Sequence, residues 1–293
     1  LDWERDGKHW PLHAFSRFVV AGGLRWHVQV MGRGPVALLV HGTAATTHSW
    51  RGLAPLLARH FTVVAPDLPG HGFTEALPAS RVSLPGFAQA LGELMQALDL
   101  PPRLAVGHSA GAAILARMCL DDRIEARALV SLNGALLPPR GWAGMFFLPV
   151  ARLLTWNPLI PQLVAWRAAD ARAVARLIDS TGSRIDEEGA ALYQRLVRSP
   201  QHVAGTLAMM ARWDLGPLVR DLPRLAPPLT LVVGEADGTV SPAEARSVQR
   251  LLPSARLVSL PGLGHLAHEE APERVAEIVV EAARAAGMRP VHG

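Results

Sequence analysis

The chain has 293 residues, 49% of them apolar and 18% charged, with a formal net charge of +4. That balance suffices for one large domain, or for a core domain carrying an insertion, and excludes a disordered chain. Lys8 is the only lysine, so the positive charge is almost all arginine, and no basic run interleaved with aromatics offers a surface for nucleic acid.

In chain order, the opening LDWERDGKHW carries charge and tryptophan where a signal peptide would need an apolar run. Residues 17–32 read as a hairpin about Gly22 and Gly23. Buried strands are expected at 36–42, 61–67, 103–109, 127–134, 229–237 and 255–260. Helices are expected at about 49–58, 84–97, 109–120, 242–252 and 272–286. This alternation predicts an α/β protein, with a mostly parallel eight-stranded sheet and helices on both faces. The rhythm stops between Ala135 and Leu222, where the sequence becomes helical, apolar and punctuated by proline. The expected division is therefore core at 1–134, a helical cap at 135–222 and core again at 223–293. No segment reaches the ~20 apolar residues of a membrane span; residues 141–166 come nearest, interrupted by Arg152 and several prolines. Cys119 is the only cysteine, which excludes an internal disulfide and, with the missing span, suggests a cytoplasmic protein.

Gly107-His108-Ser109-Ala110-Gly111 lies between a predicted strand and a predicted helix, the setting of a nucleophile elbow. Bulky residues two places either side of such a serine would clash, and both places hold glycine. A serine hydroxyl needs a base, and the base needs an orienting acid, in this class in the chain order Ser, acid, His. Asp237, at the carboxyl end of one strand, and His265, after the last strand, satisfy order, spacing and location. Glu235 competes as the acid, and Asn133, at the other place where such folds carry one, has no charge to supply. His268 competes as the base, but its neighbours Glu269 and Glu270 suggest a structural ion pair or a helix cap. His265 and His268 lack a third metal ligand at a sensible spacing, so neither metal nor cofactor is expected. The oxyanion of an acyl transfer needs donors, for which the backbone N–H groups of Ala110 and Thr43 are the candidates. His41 is expected to brace its loop, and Asp67 with the glycines of PDLPGHGFT to fix a loop beside the site; that stretch lacks the lysine and spacing of a P-loop.

His41-Gly42, D-x-x-G-H-G from Asp67, G-x-S-x-G about Ser109, G-x-x-D ending at Asp237 and Gly264-His265 together resemble the α/β-hydrolase superfamily, over roughly residues 15 to 288. The resemblance implies a triad of Ser109, Asp237 and His265, with Thr43 and Ala110 as oxyanion donors. The phrases DWERDG, SRFVVAGGLRWHVQ, THSWRGLAPLLA, LNGALLPP, NPLIPQLVAWRAAD and MMARWDL are similar to those of the BchO-type proteins. These are α/β-hydrolases described as magnesium-chelatase accessory proteins of bacteriochlorophyll biosynthesis. That resemblance implies a phototrophic source, a role near magnesium insertion into protoporphyrin IX, and magnesium-chelatase subunits as partners.

Two functions are expected on these grounds. One is a serine hydrolase acting on an ester or related acyl bond of a bulky apolar substrate. The other is a non-catalytic accessory protein that binds a tetrapyrrole or the chelatase, with Trp142, Phe146, Phe147, Trp156 and Trp166 lining an apolar cleft rather than filling the cap core. Peripheral membrane contact through 141–166 is disfavoured, since interfacial helices carry a Lys/Arg-rich face and Arg152 stands nearly alone.

Overall fold

A computed structural model describes residues 1–138 and 171–289. Its strands are β1 (Ser16–Ala21), β2 (Leu24–Met31), β3 (Val36–Val40), β4 (Thr62–Pro66), β5 (Leu104–His108), β6 (Ala128–Leu132), β7 (Leu229–Gly234) and β8 (Arg256–Leu260). They form one eight-stranded sheet in the order β1-β2-β4-β3-β5-β6-β7-β8. Gly22 and Gly23 take φ of 57° and 78°, the left-handed pair that a tight two-residue hairpin requires, and β1 and β2 pair antiparallel around them. β2 is also antiparallel to β4, and every later pairing is parallel.

The described helices are α1 (Trp3–Asp6), α2 (Leu53–Leu57), α3 (Leu84–Leu98), α4 (Ala110–Leu120), α5 (Ala171–Ser180), α6 (Glu187–Val197), α7 (Pro200–Ala211), α8 (Gly216–Asp221), α9 (Pro242–Leu251), α10 (Ala267–Glu270) and α11 (Pro272–Ala285). The parallel strands are apolar at nearly every position because both faces of the sheet are covered. In β3, Leu38 and Val40 join the core under α3 and α4, while Ala37 and Leu39 join the core under α2 and α11. Each leucine buried in these layers contributes about 2 kcal/mol.

The helix expected at 49–58 is two elements, a 3-10 turn (Thr47–Trp50) and α2. Pro55 explains the break: it has no N–H to give, and its ring would clash with the carbonyl of Arg51, so the helix restarts at Leu53.

Between β6 and β7 the described residues form α5 to α8 and no strand. A polar seam ties this insertion to the core. Arg51 pairs with Asp186 at 2.8 Å and with Glu269, whose other carboxylate oxygen accepts from the Tyr193 hydroxyl at 2.7 Å. The amino-terminal arm packs against the same region, the Trp10 indole donating to Thr47 Oγ1 at 3.0 Å. Among the described residues no helix is long and apolar enough to cross a membrane.

Candidate active site

The loops that follow β3, β5, β6, β7 and β8 meet at the carboxyl end of the parallel strands, where open α/β sheets bind their ligands. Ser109 follows β5 directly and occupies the N-cap of α4, with φ 50° and ψ −118°. An N-cap serine normally sits in the extended region and gives its oxygen to the first turn of the helix. Here the backbone is turned away from that geometry and the side chain makes no capping bond, so the hydroxyl stays out of the helix. The strain, of order 1–3 kcal/mol, is held by backbone bonds on both sides. Ser109 N–H donates to Leu132 at 3.0 Å, and its carbonyl accepts from Ala112 at 3.2 Å and Ala135 at 3.1 Å.

The two glycines of the motif are required by close approach. A Cβ on Gly107 would stand 2.5 Å from the Ala112 backbone, and one on Gly111 would stand 2.1 Å from the Val40 carbonyl oxygen. Neither backbone can retreat without opening the sheet–helix contact.

His265 and Asp237 are both buried, and His265 Nδ1 donates to Asp237 Oδ2 at 2.8 Å. A carboxylate only accepts, so a proton sits on Nδ1, and in the neutral ring Nε2 carries the lone pair that a base needs. Asp237 is saturated: Oδ1 accepts from the N–H groups of Thr239 at 2.7 Å and Val240 at 2.9 Å, and Oδ2 also accepts from Asn133 Nδ2 at 2.7 Å. Glu235, the competing acid, is exposed.

The Ala110 N–H is the first of α4 and has no partner inside the helix. On the facing loop a Cβ at Gly42 would lie 2.8 Å from Ser109 Cβ, so the Gly42–Thr43 backbone runs hard against the serine. The Thr43 hydroxyl points elsewhere, to Met209 Sδ at 3.7 Å. His41 braces this loop from below, with Nδ1 on its neighbour's carbonyl at 2.8 Å and Nε2 accepting from Leu68 N–H at 2.9 Å.

Four contributors to the site carry no sequence motif of their own. Asn133, held at φ 46°, supplies the amide that fixes Asp237. His108 donates from Nε2 to the His265 carbonyl at 3.0 Å, so the residue before Ser109 ties down the loop of His265. The Thr181 carbonyl, in the turn after α5, accepts from both His265 N–H at 3.1 Å and Gly238 N–H at 3.0 Å, bracing the Asp237 and His265 loops together. His202, on α7, bonds the loop that carries Thr43. These bonds join residues far apart in sequence, and single-sequence reading has no signal for them.

His268 does not make the expected ion pair or cap. The Glu269 carboxylate is taken by Arg51 and Tyr193, and that of Glu270 by the N–H groups of Gly264 at 2.9 Å and Arg184 at 3.0 Å. The His268 ring instead lies buried between Trp50, 4.8 Å away, and His108, 4.4 Å away. Burial, with His265 and Arg51 nearby, pushes its pKa down to about 3, so the ring is neutral. No group of three or more His, Cys, Asp or Glu side chains is placed to hold a metal ion among the described residues. Trp142, Phe146, Phe147, Trp156 and Trp166 lie outside the described residues.

The family model described as the alpha/beta hydrolase fold matches residues 35–272. A protein of Rhodobacter capsulatus named magnesium-chelatase 30 kDa subunit is 38% identical over 275 residues, covering 93% of this chain and 96% of its own length. The 2-(acetamidomethylene)succinate hydrolase of Mesorhizobium japonicum is 26% identical over 268 residues, covering 89% of this chain and 92% of its own. Among solved structures, an alpha/beta hydrolase fold protein from Burkholderia ambifaria superposes with a TM-score of 0.77 at 24% identity, covering 91% of this chain and 97% of that one.

Proposed function

Because the chain belongs to the α/β-hydrolase family and, within it, to the BchO-type magnesium-chelatase accessory proteins, we propose that it is a serine hydrolase of an ester or related acyl bond. Ser109 is the nucleophile, His265 the base and Asp237 the orienting acid. Ser109 Oγ attacks the acyl carbon as its proton passes to His265 Nε2, and Asp237 stabilises the imidazolium that forms. The oxyanion of the tetrahedral intermediate accepts from the N–H groups of Thr43 and Ala110, each worth ~3 kcal/mol of transition-state stabilisation. Collapse expels the leaving group, which takes the proton back from His265. Water then repeats the cycle on the acyl-enzyme and restores Ser109.

The observation that carries this reading is the conjunction of the 2.8 Å His265–Asp237 bond with a serine strained out of capping its own helix. The described helices of the insertion, α5 to α8, act as a cap beside the site, and Met209 beside Thr43 puts a soft apolar side chain there, which suits a bulky apolar substrate. Ser109→Ala tests the mechanism on a simple aryl ester. We expect kcat to fall by ~10⁴ or more and fluorophosphonate labelling to vanish; unchanged turnover would refute it.

The similarity to a magnesium-chelatase subunit favours a place beside magnesium insertion, with the chelatase as partner and a tetrapyrrole or its ester as ligand. In a deletion strain, rescue by wild type but not by Ser109→Ala would make hydrolysis the accessory activity. Rescue by both would leave a non-catalytic binding role.

A further inference from the structure

The loop that presents Thr43 is a four-residue turn, closed by the Ala45 N–H donating to the Gly42 carbonyl at 3.2 Å. Its third residue, Ala44, has φ 63°. Turns with a positive φ at that place favour glycine, because a Cβ there is strained. Alanine stays in such a turn only if something outside the turn holds it.

Besides the His41 bond to the Gly42 carbonyl, the structure offers such a hold at Ala44 itself. His202 Nε2 lies 3.2 Å from the Ala44 carbonyl, and His202 Nδ1 lies 3.2 Å from the Gly72 N–H. A carbonyl only accepts and a backbone N–H only donates, so Nε2 carries the proton and Nδ1 does not. The ring is buried, with His71 perpendicular to it at a centroid distance of 5.2 Å. Burial and the neighbouring His71 hold its pKa well below the ordinary histidine value, which keeps the neutral tautomer these two bonds require. We propose that His202, carried by α7 of the insertion, is a positioning residue for the oxyanion loop, its Nε2–H holding the Ala44 carbonyl so that the Thr43 N–H faces Ser109.

A second set of contacts supports the same role for this helix face. His202, Gly205 and Met209 follow at i, i+3 and i+7, which places them on one side of α7. A Cβ on Gly205 would stand 2.1 Å from the Gly70 carbonyl oxygen, so helix and loop cross with no side chain between them. Met209 Sδ accepts from Thr43 itself at 3.7 Å. One helix face thus seats two loops, residues 43–44 beside Ser109 and residues 70–72 next to them. The insertion would then help to build the catalytic geometry as well as cover it.

The proposal rests on Ser109 being the nucleophile and Thr43 an oxyanion donor, so Ser109→Ala is run beside it. Steady-state kinetics on an aryl ester are measured with inhibition by a trifluoromethyl ketone, whose carbonyl carbon is attacked by Ser109 and whose oxyanion needs the same donors. His202→Ala is expected to lower kcat roughly 10- to 100-fold, to leave KM within about threefold, and to weaken the ketone in proportion to kcat. Glutamine places its amide N–H near the position of Nε2, whereas asparagine reproduces only the Nδ1 acceptor. His202→Gln should therefore retain most of kcat, and His202→Asn should behave like alanine. Adding Ala44→Gly to His202→Ala should recover kcat, because the turn no longer needs an outside hold. Equal behaviour of the glutamine and asparagine variants, a loss confined to KM, or no recovery by Ala44→Gly would overturn the proposal. Turnover surviving in Ser109→Ala would instead overturn the hydrolase reading.

Discussion

Among the described residues two buried histidines each meet an aspartate, and the serines assigned to them differ. Around Asp237, His265 Nδ1 meets the acid at 2.8 Å; around Asp67, His27 Nδ1 meets the acid at 2.8 Å as well. His27 Nε2 even has a serine in place, Ser16 Oγ, at 2.9 Å. The difference lies in the serine and its surroundings. Ser16 has a relaxed extended backbone, with φ −77° and ψ 139°, and its oxygen also accepts from Gln29 Nε2 at 3.2 Å. Trp3, Phe18 and Phe73 pack their rings around His27 within 5.5 Å, leaving it fully buried. Ser109 has the strained elbow, a helix N-terminus behind it and a facing loop that approaches its Cβ. On the proposed reading, residue identity and acid–base geometry are therefore insufficient, and the elbow and the backbone donors make the nucleophile. The second arrangement reads as a polar rivet, in which Asp67 also accepts from the N–H groups of Thr47 at 2.7 Å and Phe73 at 3.0 Å.

Replacing each acid by its amide should separate the two most widely. Asp237→Asn is expected to lower kcat by ~10⁴, by putting His265 in the wrong tautomer, and to lose stability as well, since Asp237 is a buried carboxylate with four donors. Asp67→Asn should leave kcat of the folded protein nearly intact and cost about 3 kcal/mol of stability, since a buried carboxylate that accepts several hydrogen bonds loses part of them. Similar kinetic losses in the two variants would erase the distinction. Burial alone would raise the Asp67 pKa, but His27 and the backbone donors outweigh it and hold the carboxyl well below the usual carboxylate range. A depressed folded pKa stabilises the protein fully above the unfolded value of about 3.9 and is lost as pH falls below it. Urea midpoints should therefore drop on the acid side of about pH 4 in the wild type, and less steeply in Asp67→Asn.

A smaller effect is expected at Asn133. Asn133→Ala removes one of four donors to Asp237 and leaves His265 bonded, so kcat should fall about tenfold, equivalent to ~1.4 kcal/mol. Asn133→Asp would set a second carboxylate beside Asp237, where the two cannot easily both ionise, and the acid limb of kcat/KM should move to higher pH. An unmoved limb would mean that Asn133 does not touch the acid in the working enzyme.

The parts of this comparison that could be read from sequence are those fixed by local backbone demands. The sharp turn at Ser109 was legible because only glycine fits at 107 and 111, and the Asp237–His265 pairing because each residue lies on a loop that follows a strand. The sheet was legible for a similar reason: strands covered on both faces read as unbroken apolar runs. Asn133 was visible as a residue unable to be the acid, but not as the donor that fixes it, because that bond spans 104 residues. His202 reaches Ala44 across 158 residues, and Thr181 acts through a carbonyl that any residue would supply. His268 misled because Glu269 and Glu270 adjoin it in sequence, whereas adjacent residues on a helix face different directions. The break in the helix after Trp50 was written in Pro55, and the apolar periodicity around it hid the signal.

The smallest expected effect sharpens the comparison most. Ser16→Ala deletes the hydroxyl bonded to His27 Nε2 and to Gln29, yet Gln29 Nε2 keeps the Pro11 carbonyl at 2.7 Å, and Asp67 keeps all three of its donors. One buried acceptor on His27 is left without a partner, which costs about 1 kcal/mol and should lower the melting temperature by roughly 2 °C for a chain of this size. The kinetic constants on an aryl ester, and the rate and stoichiometry of fluorophosphonate labelling, should match the wild type. If Ser16 were itself an activated nucleophile, the Ser109→Ala protein would still take up label, and adding Ser16→Ala would abolish it. Residual label of that kind would mean that an Asp-oriented histidine suffices to activate a serine here, without the strained elbow or the backbone donors.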